Sequence, residues 1–298
     1  MPNFAAAFLA AAALSMSSLT TAEGLAGAAD VTTVTTEGAA IAFGDFAFPV
    51  ETGESLSLRR YVLDRGEVVD WGAEPGTVLG LVQTGRMSNY LGCSQAQLWR
   101  TPVGYYLARS EEAGTLGGVT VNDGDEQAVI LAVVSGAVGA VQREDQKHRH
   151  GADEVDRPRP VEGCPSGPAA EAENLTEARM GTTAAFDQVD HNQIVVSRYR
   201  LAPGASSGWH ELPDAGLIVQ ADGNTMVWTG CDERVTYEPG RAYVHDAGSG
   251  SRLVTNPGPD VAEYFLVAFD VPANHPADVP RMIPAPPPSG CPQSTLTY

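Results

Sequence analysis

An internal duplication constrains the fold of this chain more than any other feature. The segment RYVLDRG at 60–66 recurs as RYRLAPG at 198–204, an offset of 138 residues. Rare residue types agree at the same offset, in the pairs Trp71/Trp209 and Cys93/Cys231. A repeat this long indicates a duplicated domain, because solenoid repeats have periods of about 20–50 residues.

Each copy has the pattern of a β-protein. The copies run from about Phe46 to Pro168 and from about Thr183 to the C-terminus. Short β-branched and aromatic runs, such as 217–219, 225–228 and 264–267, are bounded by Gly, Asp and Pro. Strands at this spacing predict a sandwich or barrel. The segment 169–180 is the best candidate for a helix.

The N-terminus resembles a signal peptide. Residues 4–14 read FAAAFLAAAAL, which is too short to span a bilayer, and Ala26-Gly27-Ala28 offers a cleavage site. The charge pattern is atypical, since the first basic residue is Arg59. A disordered Ala-rich tail is the alternative. We therefore expect export, to the periplasm or the cell exterior, with a signal peptide at 1–28, a first domain at 29–168 and a second at 169–298.

Four cysteines are expected to form two disulfides. Cys93, Cys164, Cys231 and Cys291 form no C-x-x-C pair, which disfavours a zinc knuckle or a thioredoxin motif. An even number in an exported chain favours disulfides, and three pairings are open. Each copy holds one inner cysteine and one tail cysteine, so the duplication favours Cys93–Cys164 and Cys231–Cys291.

The charge balance disfavours two classes of partner. Acidic residues outnumber basic ones 37 to 18, for a formal charge of −19. Nucleic-acid binding needs basic patches, and an anionic membrane surface attracts basic segments. We expect neither a nucleic acid nor a membrane as a partner, and the oligomeric state stays open.

The second copy resembles the cupin family. Its first motif, G-x5-H-x-H-x(3,4)-E-x6-G, is similar to the stretch that begins at Gly204, contains His210 and closes at Gly223. The second motif, G-x5-P-x-G-x2-H-x3-N, is similar to the stretch from Gly240 through Gly248 to Asn256, with one residue inserted. The resemblance implies an all-β bicupin of two antiparallel jelly-roll barrels.

The metal-binding positions of the family are degenerate in both copies. Cupins hold a divalent transition metal with three His and one Glu. These positions fall on His210, Leu212, Gly216 and Arg252 in the second copy, and on Gly72, Glu74, Val78 and Gly118 in the first. One imidazole does not hold a divalent ion, and Arg252 repels it. We expect no metal or other cofactor; if there is one, it is a single divalent transition metal near His210.

The vacated positions suggest a ligand pocket in the second barrel. Because side chains alternate along a strand, His210 and Leu212 share one face, as do Gly216, Ile218 and Gln220, and Arg252, Val254 and Asn256. The expected ligand-binding residues are therefore His210, Gln220, Arg252 and Asn256. Arginine presents a fork suited to carboxylate or phosphate, so a small anion or sugar acid is the candidate ligand. Alternatively, Arg252 pairs with a neighbouring acid and His210 is a core histidine.

Other candidate sites are weaker. His210, His245 and Asp246 or Glu211 suggest a rearranged metal site, but neighbours on a strand point to opposite faces. His148 and His150 lie in a charged stretch that reads as a solvated loop. Trp71 and Trp209 are expected to pack outward from the pocket. No nucleophile elbow or phosphate-binding loop occurs, so no catalytic residue is assigned.

These observations favour an exported bicupin-like protein that has lost its metal sites and binds a small molecule or has a structural role. A metal-dependent dioxygenase, decarboxylase or isomerase with an unusual ligand set is the alternative. A cell-surface interaction module is the third possibility, with the Pro-rich tail at 276–292 as a stiff arm.

Overall fold

The computed structural model describes residues 31–42, 46–71, 76–91, 95–100, 103–107, 118–136, 165–189, 191–231, 233–274, 276 and 283–291. These residues form β-strands joined by turns, with no α-helix among them. Accordingly, this part of the chain has no helix that could cross a membrane. The predicted signal peptide, the Cys93–Cys164 pair and the stretch with His148 and His150 lie outside the described residues.

The strands repeat in the same order in the two copies. The first copy contains β1 (Val31–Ala42), β2 (Phe46–Val50), β3 (Ser55–Leu63), β4 (Val68–Asp70), β5 (Gly76–Thr84), β6 (Arg86–Leu91), β7 (Gln95–Arg100), β8 (Val103–Leu107), β9 (Gly118–Val121) and β10 (Ala128–Gly136). The second contains β11 (Ala172–Met180), β12 (Ala184–Gln188), β13 (Gln193–Leu201), β14 (Ser206–Glu211), β15 (Gly216–Asp222), β16 (Thr225–Thr229), β17 (Arg234–Tyr237), β18 (Arg241–His245), β19 (Arg252–Thr255), β20 (Ala262–Val271) and β21 (Ile283–Pro284). Each strand from β1 to β10 has its counterpart ten strands later, which confirms the duplication.

Each barrel consists of a larger and a smaller sheet. The first barrel combines β11-β3-β10-β5-β8 with β4-β9-β6-β7, and the second combines β1-β13-β20-β15-β18 with β17-β16-β19-β14-β21. Short parallel pairs, β1 with β8 and β11 with β18, join the two larger sheets into one closed sheet. The predicted all-β fold of two jelly-roll barrels is confirmed.

The leading strand of each copy is exchanged between the barrels. Strand β1 pairs along its length with β13, and β11 pairs with β3. The helix predicted at 169–180 is therefore wrong, because most of that segment is β11. Thr176, Ala178 and Met180 are buried in alternation with exposed neighbours, the period of a strand that has one covered face.

The central strands are apolar on both faces because each larger sheet lies between two cores. Leu217 and Val219 in β15 face the core shared by the two barrels, whereas Ile218 faces the interior of the second barrel. In the shared core, Phe269 stacks on Phe186 and on Phe48, with ring centroids 4.7 and 5.8 Å apart. This core fixes the two barrels against each other.

A bulge in β1 directs a buried carboxylate toward both barrels. The register of β1 against β13 shifts between Thr36 and Gly38, and Glu37 lies at the shift. The Glu37 side chain is 8% exposed and forms ion pairs with Arg60 of β3 and with Arg198 of β13, the latter at 3.1 Å. Arg60 and Arg198 are equivalent positions of the repeat, so one acid bridges both copies.

The second predicted disulfide is present. Cys231 and Cys291 are bonded, 60 residues apart in sequence. The bond anchors the C-terminal segment, in which β21 pairs with β14 at His210 and Glu211, and the Ala285 amide donates to the Trp209 carbonyl.

We expect the double substitution Cys231→Ser/Cys291→Ser to lower the free energy of unfolding by about 4 kcal/mol, because a closed loop of this length restricts the unfolded chain. Urea unfolding of the oxidised wild type and the variant measures the difference. Equal midpoints and slopes would contradict this role for the bond.

Candidate functional site

The interior of the second barrel contains a small cavity. His210 of β14, Thr225 of β16 and Arg252 of β19 contribute its polar side chains, with the tyrosines 199, 237 and 264 beside them. The rest of the lining is aliphatic. The free space is about 10 Å³, which holds roughly one water molecule. Only a small group therefore enters without movement of side chains.

Of the eight residues predicted to face inward, five line the cavity and Gly216, Gln220 and Asn256 do not. Leu212 lines the cavity together with His210, and Val254 lines it together with Arg252. Ile218 lies on the opposing strand and also lines it. Strand alternation was thus sufficient to place the two residues of greatest chemical interest, His210 and Arg252, in one cavity.

Arg252 is a buried cation with few partners. It is 8% exposed, its Nη2 donates to the Ser249 hydroxyl at 2.7 Å, and it lies beside the Tyr237 hydroxyl. Its Nε has no hydrogen-bond partner, and no described carboxylate lies within 4.0 Å of the guanidinium. The alternative in which a neighbouring acid neutralises Arg252 therefore finds no partner in the described part of the chain. Arginine cannot lose its charge, so the positive charge remains buried.

His210 is buried and oriented by the backbone. Its Nδ1 lies 2.9 Å from the Gly208 carbonyl oxygen and 3.0 Å from the Ser207 hydroxyl. A carbonyl only accepts, so Nδ1 carries the proton and Nε2 carries the lone pair. Burial lowers the pKa of His210 to about 4. His210 is therefore a neutral hydrogen-bond acceptor toward the cavity at neutral pH.

His245 is a second buried imidazole next to this site. It is fully buried, whereas the adjacent Asp246 is exposed, as strand alternation requires. Its Nε2 donates to the Leu212 carbonyl at 3.2 Å, and its Nδ1 has no partner among the described residues. Burial and the nearby Arg252 lower its pKa to about 4. Strand alternation excludes an inward His245–Asp246 pair, as predicted. The place of His245 alone beside Arg252 was not predicted, although the inward alternation of β18 would have indicated it.

The other two predicted ligand-binding residues lie outside the cavity lining. Gln220 donates to the carbonyls of Asp222 and Gly223 and accepts from the Thr225 hydroxyl at 2.8 Å. Asn256 donates to the carbonyls of Leu201 and Asp260. Asn122, its counterpart in the first copy, makes equivalent bonds to Leu63 and Glu126. Gln220 and Asn256 thus hold turns rather than converging with His210 and Arg252.

The interior of the first barrel contains a packed tryptophan. Trp71 packs edge-on against Tyr61, with ring centroids 5.4 Å apart, and its indole donates to Thr120 at 2.7 Å. The expectation that both tryptophans pack outward is therefore wrong for Trp71, while Trp209 is absent from the cavity lining. Gly118 occupies the position of Arg252. Among the described residues, the first barrel thus has no cation at the position that Arg252 occupies in the second.

Comparisons with known proteins find similar solved structures but no matching family. No family model and no curated protein matches the sequence. Among solved structures, a Cupin 2 conserved barrel domain protein from Leptotrichia buccalis is 9% identical, covering 76% of this chain and 88% of that one, with a TM-score of 0.28. An oxalate decarboxylase is 14% identical over 80% of this chain and 76% of its own, with a TM-score of 0.34. A cupin domain from Bordetella pertussis is 23% identical over 27% and 85%, with a TM-score of 0.24.

Two jelly-roll barrels built from the two halves of one duplicated chain are the architecture that the sequence resemblance implied. The chain has a bicupin fold. Its second barrel does not offer the donor set of a cupin metal centre, because His210 and His245 supply two neutral imidazoles and Arg252 adds a positive charge. Gly216 occupies another of the metal-binding positions, and a Cβ there would lie 2.6 Å from the Val267 carbonyl oxygen. No group of three His, Cys, Asp or Glu suited to a metal occurs among the described residues of this bicupin.

The two buried histidines make the bicupin sensitive to acid. Both have a pKa of about 4 in the folded chain, below the ordinary value of 6.5. Only the unfolded chain takes up these protons between pH 6.5 and pH 4, so stability falls as the pH falls through that window, by about 1.4 kcal/mol per pH unit for each histidine.

Urea unfolding from pH 7 to pH 4.5 tests this dependence. We expect His210→Gln/His245→Gln to have a flatter profile than the wild type, because two of the proton acceptors are gone. The exposed His191 provides the control, as His191→Asn should keep the wild-type slope. Parallel profiles for the wild type and the double variant would contradict the assignment.

Proposed function

We propose that this bicupin is an exported protein that binds a small anion beside Arg252 in its second barrel, without a metal ion. The supporting observation is the buried guanidinium that has no carboxylate partner within the described residues. A buried charge is normally paired, because its removal from water costs several kcal/mol. An anion from solution would serve as the missing partner.

The cavity favours a small ligand over a sugar acid. A sugar acid brings several hydroxyl groups, which would be left without partners against the aliphatic lining. The free space of about 10 Å³, roughly that of one water molecule, suits the smallest anions, such as a halide. Formate, nitrate or bicarbonate enters only if side chains of the lining move. We therefore narrow the ligand to small monoanions.

Export is part of the proposal. The apolar stretch at 4–14 followed by an A-x-A site supports a cleaved signal peptide. The Cys231–Cys291 disulfide is compatible with an oxidising compartment. N-terminal sequencing of the protein from its native host tests this part, and an intact Met1 would contradict it.

Calorimetric titration with small anions tests the binding. The protein is dialysed into a buffer of bulky organic ions and titrated with chloride, formate, nitrate and bicarbonate. We expect at least one anion to bind with a one-to-one ratio, and Arg252→Met to weaken it about 30-fold or more. The exposed Arg241 provides the control, since Arg241→Met removes one positive charge from the same barrel. Binding that is absent from the wild type, or that both variants weaken equally, would contradict the proposal.

Elemental analysis separates this function from the metal-dependent alternative. The anion-binding proposal expects less than one-tenth of an equivalent of any transition metal in purified protein, on the order of background. About one equivalent, lost in His210→Ala, would favour a metal-dependent enzyme instead.

A further inference from the structure

We infer that the anion bound beside Arg252 carries its own hydrogen-bond donor, which it gives to Nε2 of His210. This rests on the proposed function, and it narrows the ligand class to small oxyanions that bear a hydroxyl group, such as bicarbonate or a short 2-hydroxycarboxylate.

The backbone fixes the tautomer of His210, with the proton on Nδ1. The Gly208 carbonyl oxygen, 2.9 Å from Nδ1, can accept a hydrogen bond but cannot donate one. The Ser207 hydroxyl also receives the Val254 amide, at 3.0 Å, and lies 2.9 Å from the same carbonyl. Both contacts fit a protonated Nδ1. The nitrogen left for a ligand is therefore Nε2, which is a pure acceptor.

The second step is the balance of donors and acceptors around the cation. Among the described residues, Arg252 Nε is a donor without an acceptor, and the Tyr199 hydroxyl in the cavity lining has no hydrogen-bond partner. His245 Nδ1, which lies next to the lining, is an acceptor without a donor. His210 Nε2 is a further acceptor, so the site combines hydrogen-bond acceptors with the positive charge of Arg252. Chloride or nitrate would pair with Arg252 but would present only electron pairs to the imidazoles. A hydroxyl-bearing oxyanion satisfies both kinds of group.

The third step concerns the source of the proton. The site could also supply the donor if His210 became protonated, but the groups around it oppose this change. Burial lowers the pKa of His210 to about 4, and the nearby His245 and Arg252 act in the same direction. The hydroxyls of Tyr199, Tyr237 and Tyr264 also lie beside the cavity and are neutral, because burial raises the pKa of each. Among the described residues, the imidazole of His210 is hydrogen-bonded to Ser207 and Gly208 and to none of these tyrosines. Because no described group donates to Nε2 of His210 at pH 7–8, the hydroxyl of the ligand supplies that hydrogen bond.

Matched pairs of anions test the inference by calorimetry at pH 8. Bicarbonate and nitrate have similar shape and equal charge, and so do glycolate and propionate; only the first of each pair carries a hydroxyl group. We expect the hydroxyl-bearing anion to bind about 10- to 100-fold more tightly within each pair. In His210→Leu, which removes the acceptor but keeps Arg252, we expect the preference to shrink to less than about threefold.

The outcomes distinguish the two proposals. If nitrate and propionate bind as tightly as their partners while Arg252→Met abolishes binding, the anion site stands and the donor requirement is overturned. If no anion binds the wild type, the proposed function itself fails. If His210→Leu is unfolded by circular dichroism, His210→Gln replaces it: its amide can donate, so the preference for bicarbonate over nitrate should still fall, and an unchanged preference would overturn the inference.

Discussion

Replacing Arg252 by Met is expected to stabilise the anion-free protein by about 1–4 kcal/mol, because a buried charge without a counterion is replaced by an apolar side chain of similar volume. The aliphatic lining of the cavity can pack against the new side chain, and the exposed Ser249 hydroxyl returns to water. Chemical denaturation in a buffer of bulky organic ions measures the difference. The same substitution removes the stabilisation that a bound anion gives, so the order of the two proteins should invert at saturating anion.

Two controls make this prediction specific. Arg241→Met changes the same charge at an exposed position and should leave stability within about 0.5 kcal/mol in either buffer. Arg252→Lys keeps the charge and should retain weakened binding without the stabilisation, because an ammonium lacks the planar fork. If Arg252→Met destabilises the anion-free protein by several kcal/mol, the Arg252 guanidinium already has a carboxylate partner in the protein and the proposed anion site is wrong.

Removing the carboxylate of Glu37 is expected to destabilise the protein by about 3–5 kcal/mol. Glu37 is 8% exposed, and its loss leaves Arg60 and Arg198 without their shared acid. The two arginines belong to β3 and β13, so Glu37→Gln weakens the contact that the exchanged strand β1 makes with both barrels. Urea unfolding at pH 7 provides the measurement.

Glu173 offers a matched control for this prediction. It contacts the same Arg60, at 3.1 Å, but its side chain is 62% exposed. We expect Glu173→Gln to lower stability by less than about 1 kcal/mol, since exposed ion pairs contribute little. Similar losses for both substitutions would contradict the bridging role of Glu37.

The repeated rare residues made the duplication and one disulfide predictable from the sequence. Trp71/Trp209 and Cys93/Cys231 revealed the duplication, the strands followed from β-branched runs, and the duplication selected the Cys231–Cys291 bond that the structure contains. The strand exchange was not predictable from this evidence. An edge strand has the same period-two pattern whichever sheet it joins, so nothing in β1 or β11 indicates a partner in the other copy.

The helix predicted at 169–180 is wrong because pairing between strands outweighs local preference. The segment is rich in Ala and Glu, which favour a helix locally, but pairing with β3 overrides that preference. The candidate site shows a similar limit of prediction from strand alternation. Alternation placed His210 and Arg252 correctly, and it also turned Gln220 and Asn256 inward, but it does not reveal that the backbone carbonyls of nearby turns occupy both amides.

An anomalous difference map from crystals grown in bromide tests whether the buried guanidinium in the second barrel recruits a small anion. We expect a bromide peak within about 3.5 Å of the Arg252 guanidinium, absent from the Arg252→Met protein and from the position near Gly118 in the first barrel. If no peak lies at Arg252 and the crystal structure shows a carboxylate of the chain against the guanidinium, the proposed anion site is wrong.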